Sequence, residues 1–108
     1  LISRRNMLQE ITDQDFIKEV IEADKPVVVD FFASWCAPCQ MLMPKMEEFS
    51  KKYSNAKIVK MSVEKNQTTP SKYSVMSIPT ILFFNKGKIV GQITGAEPNS
   101  IEKKIKEL

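Results

Sequence analysis

Apolar residues recur along this chain at two spacings, one helical and one that of buried strands. Between Ile11 and Pro26, the residues Phe16, Ile17, Val20 and Ile21 fall on one helical face, with Thr12 and Asp15 three residues apart at its front. This predicts a first helix capped at Thr12 and unable to continue through Pro26. The run "PVVVDFF" that follows is short, β-branched and continuous, as in a central strand covered on both faces. Next, "CAPCQMLMPKMEEFSKKY" has helix-forming composition, places Leu42, Met46 and Phe49 near one face, and carries Pro44, which predicts a kink. A second strand is expected in "AKIVKMSVE" and a short helix in "TPSKYSV". Two further strands are expected in "PTILFFNKGKIVGQIT", joined at Asn85-Lys86-Gly87. The chain closes on an amphipathic helix with Pro98 near its start and Ile101, Ile105 and Leu108 on one side. Strands alternating with helices imply an α/β layered fold, the hairpin adding antiparallel strands to a partly parallel sheet.

The chain has 108 residues, 43% of them hydrophobic and 27% charged, which is enough apolar material for one independent core. Its net charge is +3, with basic and acidic residues interleaved, so no basic stripe calls for a nucleic-acid partner. No apolar run reaches the roughly 18 residues of a membrane span, and no hydrophobic region follows Arg4 and Arg5 as it would in a signal peptide. The expectation is a soluble protein with no membrane partner. It has no histidine and two cysteines, Cys36 and Cys39, which excludes a zinc site built within the chain on Cys and His ligands.

The two cysteines therefore call for another explanation. At i and i+3 of a helix they face the same side about 5–6 Å apart, within the range a disulfide tolerates. A bridge closing so short a loop constrains the unfolded chain little, so reversible chemistry explains the pair better than stapling does. Cys36 lies where a buried strand gives way to a helix, and unpaired N–H groups with the helix dipole stabilise a thiolate there. Cys36 is thus expected to be the nucleophile. Cys39, one turn further in and less exposed, is expected to resolve the mixed disulfide. Pro38 falls in the first helical turn, where its missing N–H costs little.

Four segments in order, "VVVDFFASWCAPC" at 27–39, "SIPT" at 77–80, "NKGK" at 85–88 and "TGA" at 94–96, resemble the strand and redox loop, cis-proline loop, hairpin and small-residue turn of the thioredoxin family. The resemblance runs from about Ile11 to the C-terminus. It implies a thioredoxin fold: a central mixed five-stranded sheet in the order 1-3-2-4-5, flanked by helices on both faces. Residues 1–10 are assigned to an N-terminal extension and the start of the first strand, and 11–108 to a single domain; the six residues before Met7 have no family counterpart.

The resemblance also addresses Asp30, a carboxylate inside an apolar strand. Burial disfavours its charged form and raises its pKa. In the family the matching aspartate lies behind the second cysteine, so by resemblance Asp30 acts as general acid/base toward Cys39, with Lys60 beside it. By the same resemblance Pro79 is cis and faces the cysteines, and the Ile78 backbone pairs with an extended substrate segment. Trp35, Ala37 and Pro38 on one side, with Gly95 and Ala96 on the other, complete the implied substrate surface. Two positions depart from the commonest family pattern: Ala37 stands in place of glycine between the cysteines, and Gln40 in place of a basic residue after them. Both bear on redox poise and partner set rather than on reaction class.

The function expected is thiol-disulfide oxidoreductase, a protein-disulfide reductase using a reversible Cys36–Cys39 disulfide. No cofactor is expected in the chain, which lacks a dinucleotide fingerprint; by resemblance, electrons come from NADPH through a thioredoxin reductase. Partners are then disulfide-containing proteins and that reductase, with the chain a monomer in the cytoplasm; an organelle or exported compartment stays open. Two alternatives remain at this level, an exported oxidase, isomerase or cytochrome-maturation reductase sharing the fold, and a binding module in which the cysteines are dispensable.

Overall fold

The computed structural model describes residues 8–108. Five strands, β1 (Gln9–Glu10), β2 (Val27–Phe32), β3 (Lys57–Ser62), β4 (Thr80–Asn85) and β5 (Lys88–Thr94), form one sheet in the order β1-β3-β2-β4-β5. β1 and β2 both run parallel to β3, while β4 is antiparallel to β2 and to β5. Three α-helices accompany them, α1 (Ala37–Lys52), α2 (Thr68–Lys72) and α3 (Pro98–Glu107). The expected mixed sheet with helices on both faces is what the chain forms.

Alternation along each strand sorts the core into two layers, because successive side chains leave a strand on opposite faces. On one face Val28, Ile58, Ile81 and Phe83 pack with Leu42, Met46 and Phe49 of α1 and with Ile101 and Ile105 of α3. On the other, Val29, Phe31, Val59, Met61, Leu82 and Phe84 pack with Phe16, Val20 and Ile11. Each large side chain fully buried in this way contributes about 1.5–3 kcal/mol of hydrophobic free energy.

The expected first helix is smaller than its pattern suggests. After one α-type bond, from Glu19 N–H to the Asp15 carbonyl at 2.8 Å, the segment is a single π-helical turn, Ile17–Ile21, closed by Glu22 N–H donating to the Ile17 carbonyl at 2.8 Å. Thr12 does not cap it with its side-chain oxygen; its N–H and hydroxyl both donate to the Asp15 carboxylate. Ile17 is also not on the buried face but 51% exposed. With neighbours turned by roughly 100° on a helix, aiming Phe16 and Val20 at the sheet swings Ile17 out to solvent. The hairpin turn is shorter than the three residues expected: Asn85 pairs with Lys88, and only Lys86 and Gly87 turn, with φ of 53° and 79°. Two positive φ values match a type I′ turn, whose twist suits the flanking strands. Pro44 lies inside a helical span that runs on without interruption. α2 occupies residues 68–72, one residue earlier than expected at its start, and the chain beyond it turns at Ser74 with φ 55°.

Candidate redox site

β2 ends at Phe32 and α1 begins at Ala37, so residues 33–36 carry the chain from the end of the central strand to a helix N-terminus. Cys36 is the N-cap of α1, in extended conformation with φ −89° and ψ 107°. Its sulfur takes the place of the usual capping oxygen, accepting the Cys39 N–H at 3.2 Å. One orphan donor of the helix is thereby aimed at this sulfur, and the helix dipole adds to it. Cys36 and Cys39 are disulfide-bonded, with Cα atoms 5.3 Å apart. Both are buried, Cys39 at 1% exposure and Cys36 at 5%, so what solvent contact the pair has lies mainly on Cys36. Pro38 occupies the first helical turn and, with Ala37, lies exposed.

One loop meets the cysteines directly, and a second is tied to it. The Ile78–Pro79 peptide bond is cis, and the Ile78 carbonyl lies 3.9 Å from the Cys36 sulfur. Gly95, at φ 100°, donates its N–H to the Pro79 carbonyl at 2.8 Å, which joins the turn after β5 to the proline loop. A φ in that range favours glycine, since a Cβ would be strained there. Ala96, next along, lines a small cleft of about 180 Å³ with Met41, Leu42, Lys45 and Pro98. Trp35 stands 72% exposed immediately before Cys36.

Asp30 lies beneath this surface. By alternation it shares the α1 face of the sheet with Val28 and Phe32, and its register partner on β3 is Lys60. It is fully buried, and neither carboxylate oxygen has a hydrogen-bond partner among the described residues. Loss of hydration raises its pKa to about 7, against the opposing pull of the Lys60 charge. A cleft of about 360 Å³ opens above, lined by Cys39, Phe32, Gln40, Met43, Glu47 and Lys60, among others. The Lys60 ammonium sits 5.5 Å from the centre of the Phe32 ring. The cleft thus joins the inner face of Cys39, the lysine beside Asp30 and the solvent.

Further contributors carry no signal in the sequence pattern. Ser34 donates its N–H to one Glu64 carboxylate oxygen at 2.7 Å and its hydroxyl to the other at 3.1 Å. Its carbonyl accepts from the Gln40 side-chain amide. These bonds hold the Glu64 pKa below the usual carboxylate range, the Ser34 N–H most of all. Ser34 and Glu64 are 30 residues apart and meet only because β2 and β3 end side by side. Met41 and Met76, which no motif marks, stand 78% and 91% exposed. Among the described residues no group of three or more His, Cys, Asp or Glu side chains is placed to hold a metal ion, and no helix is long and apolar enough to cross a membrane.

Comparison with known proteins agrees with this geometry. The sequence profile named Thioredoxin matches residues 7–107. The chain is 48% identical over 83 residues to the thioredoxin of Rickettsia typhi, covering 76% of this chain and 79% of that one. It is 45% identical over 100 residues to the thioredoxin of Chlorobaculum thiosulfatiphilum, covering 91% and 93%. Among solved structures, the oxidised mitochondrial thioredoxin 3 of Saccharomyces cerevisiae superposes with a TM-score of 0.87 at 30% identity, covering 94% of this chain and 95% of that one. A disulfide-bonded cysteine pair at the head of a helix, on a sheet of this order and in a sequence matched almost end to end, leaves one conclusion: the chain belongs to the thioredoxin family and is a thiol-disulfide oxidoreductase that reduces protein disulfides through its CxxC pair.

Proposed function

We propose that Cys36 is the attacking sulfur and Cys39 the resolving one, with Asp30 taking the proton from Cys39. The observation that carries this reading is the Cys36 sulfur at the N-cap of α1, where it accepts the Cys39 N–H. In the reduced protein the same donor and the helix dipole favour a thiolate on Cys36 over one on Cys39. The Cys36 thiolate attacks a substrate disulfide; a Cys36–substrate bond forms and the other substrate sulfur leaves as a thiolate, which takes up a proton. Cys39 then loses its proton along the cleft to Asp30 and attacks Cys36, expelling the second substrate thiolate, which is protonated as Asp30 gives that proton up through solvent. The substrate gains two electrons and two protons, and the pair ends as the disulfide.

An acid with a pKa of about 7 exchanges protons readily near neutrality, which suits Asp30 to serve Cys39 in both directions. Lys60 keeps that value from rising further. Trp35, Ala37 and Pro38, facing Ile78, Pro79, Gly95 and Ala96, form the surface on which an extended substrate segment lies, its backbone meeting that of Ile78. The thioredoxin family works without a bound prosthetic group; here NADPH supplies electrons through a thioredoxin reductase. The chain acts as a monomer in the cytoplasm, a compartment whose reducing poise keeps such a pair in the dithiol form.

The test is a Cys39→Ser variant mixed with a protein disulfide. A stable mixed disulfide on Cys36 is expected, because attack is intact and release is not. Failure to trap one, with the Cys36 thiol shown to be free, overturns the assignment.

A further inference from the structure

Ser34 lies exposed in a loop, where backbone and side-chain groups ordinarily turn to water. All three of its hydrogen-bonding groups are nevertheless taken by the protein: N–H and hydroxyl by the two oxygens of Glu64, carbonyl by Gln40. Glu64 follows β3 and Gln40 belongs to the first turn of α1, so two separate elements grip the residue that precedes Trp35 and Cys36. In the disulfide form such a grip is partly redundant. Cys36 is tied covalently to Cys39, and its own N–H donates to the Ala33 carbonyl at 3.2 Å. Once the disulfide opens, the covalent tie is gone and the bonds to Ser34 remain as the side-chain hold on this loop.

We propose that Glu64 is a positioning residue: through Ser34, and with Gln40 as its counterpart, it holds the Trp35–Cys36 loop in attacking position in the dithiol state. The inference rests on Cys36 being the nucleophile. Holding a reacting atom in place lowers the barrier by removing orientational freedom, and a misplacement of about 1 Å can cost on the order of a hundredfold in rate. Charge alone argues the other way. A carboxylate bonded to the residue two before Cys36 opposes a thiolate, so removing it should speed attack if electrostatics were its main effect. The two roles therefore predict opposite signs.

Trp35 is the only tryptophan in the chain, so its fluorescence reports on this loop alone. Glu64→Ala is compared with the wild type by time-resolved anisotropy in both redox states and by the single-turnover rate of attack on insulin disulfides. Expected are greater local motion of Trp35 in the reduced variant than in the oxidised one, and attack slowed about tenfold, short of the limit for a full displacement. Glu64→Gln, whose amide oxygen still accepts the Ser34 N–H, should recover most of the rate. Ser34→Ala, which keeps the shorter N–H bond to Glu64 and loses only the 3.1 Å hydroxyl bond, should slow attack less than Glu64→Ala does, about twofold. Equal loosening of Trp35 in both redox states, an unchanged rate, or faster attack would overturn the proposal. If Cys39→Ser trapped no mixed disulfide on a free Cys36, the nucleophile assignment would fall, while the anisotropy comparison would still decide whether the grip is specific to the reduced form.

Discussion

The two faces of β2 are buried to similar depth and do different things. Val27, Val29 and Phe31 face a closed apolar layer with Phe16, Val20 and Phe84. Val28, Asp30 and Phe32 face α1, and along that face the surroundings change from the aliphatic core around Leu42 and Met46 to the cleft that reaches Cys39. One strand thus carries a side optimised for packing and a side that ends in an unpartnered carboxylate. Natural chains keep such a local conflict where chemistry uses it, and the opposite face supplies the compensating stability. A substitution on the closed face should therefore cost stability without touching the chemistry, and one at Asp30 should do the reverse.

Phe31→Ala is the strongest test of the closed face. Phe31 is fully buried, so truncation leaves a cavity and should cost about 3–5 kcal/mol, read from urea unfolding. The folded fraction should keep its rate of disulfide exchange. A comparable loss of rate in fully folded protein would show that the two faces are coupled.

Asp30→Asn should act with the opposite sign. Below about pH 3.8 the carboxyl is protonated in both folded and unfolded chains, and burial carries no ionisation penalty. As pH rises from there to about 7, the unfolded chain releases the proton while the folded one keeps it, so the wild type loses stability. Above the folded pKa the loss is complete, on the order of 4 kcal/mol from the separation of the two pKa values. The asparagine amide does not titrate, so the stability difference, variant minus wild type, should grow between about pH 4 and 7 and then level off. The same variant should slow release of the mixed disulfide near neutral pH. A stability gap independent of pH would mean that the Asp30 carboxylate is hydrated, and an unchanged release rate would remove it from the proton transfer.

How much of this can be read from the letters follows the same division. The apolar runs 27–32 and 80–85 declare strands because nearly every residue is buried, and an apolar run bounded by turn residues reports that burial directly. The CxxC pair and Asp30 are legible because each violates its surroundings: two thiols without further metal ligands, one acid in an apolar run. Ile17 is misplaced by its pattern since four apolar residues suggest a broad helical face, whereas one π turn offers room for two. Ser34 and Glu64 are invisible for a different reason. Each is an ordinary polar residue just beyond a strand end, and their pairing depends on β2 and β3 ending in register, as Phe32 does opposite Ser62. No local pattern encodes a contact made by tertiary register alone.

The smallest expected effect is also the finest probe of the α1 face. Lys60 lies opposite Asp30 and is the charge that opposes the rise of its pKa. Lys60→Gln removes that charge, so the Asp30 proton should be held to higher pH than in the wild type. The sign for stability follows: the window over which the folded chain keeps a proton that the unfolded chain has lost becomes wider, and the variant should lose stability at about pH 8 by this route but not at about pH 4. The shift should be smaller than the one burial produces, because desolvation is the larger of the two causes. Loss of the Lys60 ammonium over the Phe32 ring also lowers stability, by an amount that does not pass through the Asp30 carboxyl. Repeating the substitution in the Asp30→Asn background separates the two. There the pH-dependent part should vanish and the other part remain. A pH-dependent loss that survives without the Asp30 carboxylate would mean that Lys60 answers to another titrating group, and that proton chemistry on this face of β2 is not confined to Asp30.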